Sequence, residues 1–569
     1  MIRARPQATA AKPLTEPQRI ARLPRVEQPD LGPEFDLKYL HPRWHGRPDA
    51  PALRPAQRLA LYWIETARGL VGPIGCGHGK GLITMLAPRA ANARRPVLFI
   101  PASMKNSGAF SREYAKFSKH WLVSRSLQVM SYESLSRADA NAYLEALRPD
   151  MIIADEAHLL RYHDSARTKR VARYMESEPT TVFVGVSGTL TRKSVKDFAH
   201  LSEWALGKGS PLPMDWPTLE AFADALDSST KTPDPASFGA LRPLGLDLSG
   251  VPFEDWRERA QRCFGERLLA TAGVVSTGDA SVGASLVFSA REPAVPEVVT
   301  DALATLAATW TRPDGEELAT PLDLARVEST LRAGFYYRWI WPDDKPDVEW
   351  LEARAAWNRA CRAILSRDLA RFDSPFLVAA GLDAGALDDP LAAQALEAWR
   401  AVRERYSPTP PVEPVWLSDY LIDDVAAWVV DRLDAGERGI VWVQHSAVAA
   451  KLAECGLPVF GAGADPEASH EPVIACSIRA HGTGKNLQRW AHNLFTSWPP
   501  SGSTIEQAVA RTHRAGQDED EVTATGYAHD ADRFAKSYVD AGYIERTTHT
   551  RQRLRYGSLC PVLRDAVDT

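Results

Sequence analysis

Two stretches of the chain alternate short apolar runs with longer segments that have a helical pattern. Between residue 53 and about residue 207, apolar runs such as 97–100 and 151–154 are separated by segments whose apolar positions recur about every 3.6 residues. Residues 416 to about 528 repeat the pattern, with apolar runs such as 439–443. A run without polar alternation indicates a strand buried on both faces, as in a parallel sheet covered by helices. The pattern predicts an α/β fold with two domains, each a parallel sheet with helices on both faces.

The remaining residues lack this alternation. Residues 208 to 415 are mostly helical in pattern and end in a proline-rich connector at 407–414, which cannot continue a helix. The predicted organisation is an irregular N-terminal arm (1–50), a first α/β domain (51–207), a mainly helical insert with its connector (208–415), a second α/β domain (416–530) and a helical C-terminal extension (531–569). Tryptophans in and around the insert are interpreted as packing of a helical layer rather than as platforms for nucleic-acid bases.

Composition narrows the functional classes. The 569 residues are 45% hydrophobic and 24% charged, enough to bury several cores, and no apolar run approaches the roughly 20 residues that span a bilayer. The N-terminus lacks the apolar centre of a signal peptide, so we expect a cytoplasmic protein, in a bacterium or in the host of a phage, with no membrane partner. The six cysteines form no CxxC pair, which argues against a zinc module or a disulfide framework. With a net charge of −5, binding to nucleic acid would need a local basic groove.

A glycine-rich segment between an apolar run and a helical pattern is a candidate phosphate loop. It consists of Gly75, Cys76, Gly77, His78, Gly79, Lys80 and Gly81. Glycines let backbone N–H groups turn toward an anion, the following helix adds its dipole, and Lys80 supplies a positive charge for the β and γ phosphates. Gly81 stands where a Ser or Thr hydroxyl normally binds magnesium, and Thr84 is a candidate substitute. A flexible glycine turn before a helix is the alternative interpretation.

Two adjacent carboxylates follow the apolar run 151–154. Asp155 at the tip of a strand can hold a magnesium ion on nucleotide phosphates, and Glu156 can orient and deprotonate an attacking water. Taken alone, these residues are weak evidence, since acidic residues also occur where a strand simply reaches solvent.

The second domain contains two arginines with helical spacing. Arg511 and Arg514 are three residues apart in a predicted helix, so both would point the same way. Such a pair can stabilise charge on a γ-phosphate held by another domain, as arginine fingers do. A solvated basic helix has the same pattern.

In this order along the chain, the motifs resemble those of the superfamily-two helicases, most closely the Swi/Snf-like DNA translocases and their compact phage-encoded relatives. The resemblance covers about 53–207 and 416–530 and includes the sequence Asp-Glu-Ala-His at 155–158 and His-Arg-Ala-Gly-Gln at 513–517. It implies that both domains are RecA-like and clamp ATP and magnesium between them. Departures from the family pattern are Gly81 in place of Thr, Ala510 in place of Gly, and Pro499 in place of Asn.

The resemblance also implies roles for further residues. Gln57 would read adenine, and Gly482 and Gln507 would contact the nucleotide. Ser187 and Thr189 would couple hydrolysis to domain movement. Ser103, Ser131, Ser446 and Ser477 would contact the phosphate backbone of nucleic acid.

The predicted function is an ATP-dependent DNA helicase or translocase of phage or bacterial replication, recombination or transcription. Duplex or branched DNA is the predicted partner, and the helical insert is a candidate surface for a replication or transcription protein. Three alternatives stay open. One is an RNA-dependent ATPase or RNA helicase, and another is a motor subunit of a restriction or replication-fork system whose strand-separating or nuclease part is elsewhere. The third is a DNA-binding scaffold with a decayed ATPase, which Gly81 motivates.

Overall fold

The structure is a computed structural model that describes residues 14–568 except 107, 137–139, 164, 279–281, 368–371, 373 and 407–409, so parts of the predicted arm and connector lie outside the described residues. The strands are Leu70–Pro73 (β1), Pro96–Ile100 (β2), Gln128–Ser131 (β3), Met151–Asp155 (β4), Val182–Ser187 (β5), Ser285–Arg291 (β6), Phe335–Trp339 (β7), Val412–Trp416 (β8), Gly439–Val443 (β9), Val459–Phe460 (β10), Val473–Ser477 (β11), His492–Phe495 (β12), Glu521–Tyr527 (β13) and Ser558–Leu559 (β14). The α-helices are Glu16–Arg22 (α1), Pro55–Thr66 (α2), Lys80–Ala90 (α3), Ala102–Asn106 (α4), Ala109–Phe117 (α5), Ala140–Leu147 (α6), Ala166–Ser177 (α7), Ala199–Leu206 (α8), Trp216–Leu226 (α9), Trp256–Leu269 (α10), Glu297–Thr309 (α11), Pro321–Leu331 (α12), Val348–Arg367 (α13), Pro375–Asp383 (α14), Pro390–Val402 (α15), Tyr420–Asp434 (α16), Ser446–Glu454 (α17), Ile478–His481 (α18), Gly502–Thr512 (α19), Ala531–Thr548 (α20), Arg553–Tyr556 (α21) and Pro561–Asp568 (α22).

The first lobe is built on a parallel sheet with the strand order β1-β5-β4-β2-β3. Alternate residues of the same strand enter different cores: Ile153 packs with α2 and α3, whereas Ile152 packs with α7 and α8. Both faces of the sheet are therefore covered, which is why the strands are continuous apolar runs.

The second lobe is built on a parallel sheet with the order β10-β11-β9-β12-β13-β6-β14. Ile440 and Val441 of its central strand again enter separate cores. The α/β class with two parallel sheets flanked by helices is thus confirmed.

Residues 208–415 do not form one insert, because parts of this segment join each lobe and another part forms a layer of its own. Helices α9 and α10 join the first lobe's core through Phe222 and Phe264, both fully buried. Strand β6 instead pairs with β13 along its full length and completes the second sheet. Its other neighbour, β14, is only two residues long, so β6 is partly open to solvent and lacks a continuous apolar run. For this reason the sequence pattern did not predict it.

Helices α13 and α15 form a separate helical layer with an aromatic centre. Trp350 is fully buried, and the rings of Trp339, Trp341, Trp399 and Tyr406 lie with centroids 5.2–5.9 Å from its ring. The rings meet edge to face, as packed aromatic side chains do. These tryptophans form a core, in agreement with the packing interpretation.

Helix α20, the longest helix of the C-terminal extension, contacts both lobes. Phe534 packs on Trp498 of the second lobe with a centroid distance of 4.9 Å, and Arg546 donates to Gln261 Oε1 of the first lobe at 2.7 Å. Within the described residues, no helix is both long enough and apolar enough to cross a bilayer.

We expect Phe288→Ala to destabilise the second lobe by about 3–5 kcal/mol, because the ring is removed from the inside of a core. Phe288 in β6 is fully buried and its ring centroid lies 5.5 Å from that of Phe534. Urea unfolding followed by tryptophan fluorescence measures the change. The matched control is Phe376→Ala, since that ring is 78% exposed. Equal midpoints for the two variants would contradict the assignment of β6 to the second core.

Candidate active site

The glycine-rich segment forms the turn between β1 and α3. Gly77 and Gly79 have φ angles of 93° and 77°, in the left-handed region that favours glycine. The Gln57 side chain donates to Gly79 O at 3.0 Å, and Arg54 donates to Gly77 O. The loop therefore has a fixed shape that ends at the N-terminus of α3, where Lys80 is the first residue.

Lys80 lies inside this turn. Its Nζ donates to Ile74 O at 3.2 Å and lies 4.0 Å from Cys76 Sγ. Burial alone would lower the pKa of Lys80, but Cys76, Glu156 and Asp155 outweigh burial, and the pKa is raised. The side chain is therefore a cation facing the two carboxylates.

The two carboxylates lie where β4 ends, and Glu156 has an unusual backbone conformation. Asp155 is 6% exposed, and its Oδ1 atom has no hydrogen-bond partner among the described residues. Burial and the charge of Glu156 raise the pKa of Asp155 to about 7, although Lys80 opposes this. Glu156 has a φ of 59°, a left-handed conformation that costs about 1–3 kcal/mol for a residue other than glycine. Such strain persists where the surroundings hold a side chain in a functional position.

A chain of polar contacts leads from Glu156 to the second lobe. His158 Nδ1 lies 3.3 Å from Glu156 Oε2 and 2.9 Å from Ser187 Oγ. Thr189 N donates to Ser187 Oγ at 3.2 Å, and Gln507 Nε2 of the other lobe donates to Thr189 Oγ1 at 3.4 Å. Burial would raise the pKa of Glu156, but Lys80 and His158 outweigh it and hold the pKa below its ordinary value. Glu156 is therefore ionised at neutral pH.

Arg511 and Arg514 meet at one carbonyl of the second lobe. Both donate to Lys485 O, at 3.4 Å and 3.2 Å. The prediction that one helix carries both arginines is wrong, because α19 ends at Thr512 and His513 has non-helical angles. Burial and the neighbouring Arg511 lower the pKa of Arg514 to about 10, so it remains charged. The shared carbonyl, rather than helical spacing, brings the two side chains together.

The two lobes enclose a cavity of about 110 Å³. It is lined by Cys76, Gly77, Gly79, Lys80, Gly81, Met104, Glu113, Asp155, Glu156, Gly484, Lys485, Asn486, Ala510, Arg511 and Arg514. An adjoining cleft of about 530 Å³ is lined by Arg54, Gln57, Leu82 and Phe117, among others. A larger cavity, of about 1010 Å³, lies on the first lobe and includes none of the predicted site residues. We take the small cavity between the lobes and its adjoining cleft as the candidate site, because the charged residues described above converge there.

Some predicted residues lie outside the cavity. Gly75 N donates to Thr277 Oγ1 at 2.7 Å, and neither Gly75 nor His78 lines the wall. Gly482 follows the short helix α18, and Gly484 lies on the wall in its place. Gln507 contacts Thr189, as described above.

The four predicted nucleic-acid serines lie where strands of the two sheets end. Ser131 and Ser477 are the last residues of β3 and β11, and Ser103 and Ser446 are in the helices that follow β2 and β9. Since carboxyl ends of parallel strands share one edge, each lobe has two of these serines on the same edge. Ser103 and Ser446 are exposed, whereas Ser131 is 7% exposed and bonds to Ser134 Oγ at 2.9 Å.

The C-terminal segment adds contacts that the sequence analysis did not predict. Thr550 Oγ1 donates to Pro73 O at 2.7 Å, and Arg553 Nη2 donates to Cys76 O at 3.2 Å. Arg553 is also paired at 2.7 Å with Glu506 of α19, and the two side chains are only 5% and 4% exposed. This segment thus links the glycine-rich turn to the arginine-bearing helix. No local pattern marks it, because its partners are distant in sequence.

The assembled cavity combines basic residues, among them Lys80, Arg511 and Arg514, with carboxylates that include Asp155 and Glu156. Such a set can hold a polyanion, bind a hard cation and orient a water molecule. The chain matches no protein-family model and no curated protein.

We expect Arg553→Ala to lower the free energy of unfolding by about 3–5 kcal/mol, since it leaves the Glu506 carboxylate buried and unpaired. Arg551→Ala is the matched control, because Arg551 is exposed and lies over the Tyr556 ring at 4.8 Å. Urea unfolding of both variants provides the measurement. A loss as small as that of the control would show that the buried pair does not hold the segment in place.

Proposed function

We propose that this chain is an ATP hydrolase that couples hydrolysis to movement along DNA, with the two lobes as the RecA-like domains of a superfamily-two helicase or translocase. One observation supports the hydrolase assignment above the others. Lys80, Asp155 and Glu156 from one lobe, and Arg511 and Arg514 from the other, line one small cavity. The two carboxylates and the two arginines therefore meet, although more than 350 residues separate Glu156 from Arg511.

Binding of the nucleotide would use both cavities. The glycine-rich turn and Lys80 lie beside the 110 Å³ cavity, which suits the phosphates. The adjoining 530 Å³ cleft, with Gln57, Leu82 and Phe117 on its wall, suits the base and ribose. In this arrangement Gln57 holds the Gly79 carbonyl as well as lying next to the base.

The carboxylates fit a magnesium ion carried in with the nucleotide. Asp155 has one buried oxygen atom without a partner, and an ion would supply that partner. No group of three or more potential metal-ligating side chains is assembled in the described part of the chain. This arrangement suits magnesium, which usually takes one or two carboxylates and completes its shell with phosphates and water. When bound, the ion would neutralise charge that develops on the phosphates.

The remaining chemistry is the transfer of a phosphoryl group to water. Lys80 and His158 keep Glu156 ionised, so its carboxylate accepts a proton from the attacking water molecule. As that proton leaves, the oxygen of the water forms a bond to the γ-phosphorus. The bond from this phosphorus to the β–γ bridging oxygen breaks, and ADP leaves with the bridging oxygen. Arg511 and Arg514 stabilise the charge that accumulates, and arginine fingers contribute roughly 10³- to 10⁵-fold in rate.

The contact chain from Glu156 to Gln507 supports coupling between hydrolysis and movement. Loss of the γ-phosphate would remove the anion that holds both arginines against the first lobe. The Thr189–Gln507 hydrogen bond of 3.4 Å would then be free to break as the lobes separate. Repeated closure and opening would advance the serine-bearing edges along a phosphate backbone. The choice of DNA over RNA rests on the motif resemblance.

Glu156→Gln should lower ATP turnover by roughly 10²- to 10⁴-fold while ATP still binds, because the amide cannot accept the proton. Glu176→Gln, an exposed position on α7, is the control with the same change of charge. Turnover is measured with magnesium and no polymer, duplex DNA, single-stranded DNA or RNA. Equal turnover in Glu156→Gln would overturn the assignment of the base. Stimulation by RNA alone would indicate an RNA-dependent ATPase, and DNA binding without hydrolysis would indicate a scaffold.

Combined Ser103→Ala and Ser446→Ala should weaken binding to duplex DNA by roughly fivefold to 150-fold, since each of the two hydrogen bonds to a phosphate contributes about 0.5–1.5 kcal/mol. Binding by fluorescence anisotropy at several salt concentrations should show the steep salt dependence of phosphate contacts. Ser366→Ala is the control, because that serine is exposed on α13. Unchanged affinity would remove these two serines from the DNA interface.

A further inference from the structure

The substitution of glycine at position 81 is not required by the backbone. Gly81 is in the first turn of α3 and does not belong to the glycines with a positive φ. A serine or threonine could adopt the same helical backbone conformation. The reason for glycine must therefore lie in the space beside it.

The Glu113 carboxylate occupies that space. A Cβ atom placed on Gly81 would lie 2.9 Å from Glu113 Oε1 and 3.1 Å from Oε2. Glu113 is on α5, one of the helices that follow β2, and its side chain reaches across to the start of α3. A carboxylate from another helix thus lies where the hydroxyl of a conventional phosphate loop would begin.

Thr84 does not provide the missing hydroxyl. Its Oγ1 donates to Gly81 O at 2.9 Å, and the residue is 1% exposed. It is also absent from the wall of the 110 Å³ cavity. The notion that Thr84 compensates for Gly81 is therefore wrong for this structure.

The Glu113 side chain lies on the wall of the small cavity. It lines the same wall as Asp155, whose buried Oδ1 has no hydrogen-bond partner among the described residues. In the described part of the chain, the Glu113 carboxylate makes no hydrogen bond or ion pair. Burial raises the pKa of Glu113, and the nearby charges of Arg514 and Lys116 oppose that rise. Two carboxylates with unused oxygen atoms thus line one cavity next to Lys80, the proposed phosphate-binding residue.

We propose that Glu113 replaces the absent phosphate-loop hydroxyl as an oxygen ligand for the nucleotide-bound divalent cation. This inference rests on the proposed function, since it assigns a metal ligand within that site. Carboxylate oxygen is a hard ligand that magnesium and manganese accept as readily as a hydroxyl, and it adds a negative charge that favours the cation. Gly81 and Glu113 are then a matched pair: glycine provides the space, and glutamate fills it.

The test measures how strongly a divalent cation assists nucleotide binding. The probe is mant-ADP, a fluorescent ADP, titrated in Mn²⁺ and separately in EDTA, and the ratio of the two Kd values reports the contribution of the metal. We expect Glu113→Ala to reduce the advantage of Mn²⁺, which is the ratio of the Kd in EDTA to the Kd in Mn²⁺, by about tenfold or more. Its affinity in EDTA should be unchanged or higher, because a negative charge near the phosphates is removed. Glu145→Ala, which removes an exposed carboxylate from α6, is the control.

A rescue variant separates a metal ligand from a structural residue. Gly81→Ser combined with Glu113→Ala returns a hydroxyl to the space that the carboxylate has left, and should restore most of the advantage of Mn²⁺. Gly81→Ser alone forces the Glu113 carboxylate to move, since the new Cβ atom lies 2.9 Å from Oε1. A residue with a purely structural role would not be rescued in this way.

The outcomes distinguish this proposal from the proposed function. Failure of the wild type to bind mant-ADP in either condition would overturn both. Binding with a clear advantage of Mn²⁺ that Glu113→Ala leaves intact would overturn only the role of Glu113. Tighter binding by Glu113→Ala in both conditions, in the same proportion, would mean that the carboxylate merely repels the nucleotide.

Discussion

The structure depends on charges that are balanced across the interface between the two lobes. Lys80, Arg511 and Arg514 face Asp155, Glu156 and Glu113 around a cavity of about 110 Å³. Charges that are withdrawn from water are costly unless partners are close, so the lobes have to present both signs to each other. The strained backbone at Glu156 is a local cost of that arrangement, and the shared Lys485 carbonyl holds the two arginines in it.

Much of the fold follows from the sequence because its central strands are buried on both faces. The run 151–154, for example, is apolar throughout and forms the predicted strand, which ends at Asp155. Strand β6 has mixed burial and belongs to a sheet whose other strands are far along the chain, so local pattern does not reveal it. The same limit applies to Arg553, whose role depends on Glu506 and Cys76. Contacts between distant segments are set by tertiary packing, which a periodic pattern does not contain.

For the site, the sequence motifs predicted which residues converge better than how they do so. Arg511 and Arg514 reach one cavity, but a break in the helix at His513 and a common carbonyl bring them there. The sequence does not reveal that Glu113 lies beside Gly81, because a motif read residue by residue records the missing hydroxyl at Gly81, not the side chain that lies in its space. A departure from a motif is thus best judged together with its neighbours in space.

The contacts of the C-terminal segment also affect the order in which the molecule is completed. Thr550 and Arg553 bond to the carbonyl groups of Pro73 and Cys76, yet they are synthesised nearly 480 residues later. A ribosome-bound chain can form the first sheet early, but the segment around its glycine-rich turn lacks these two partners until residue 553 has emerged. The contacts that complete this segment therefore form late, and a nascent first lobe would be an immature form of the folded one.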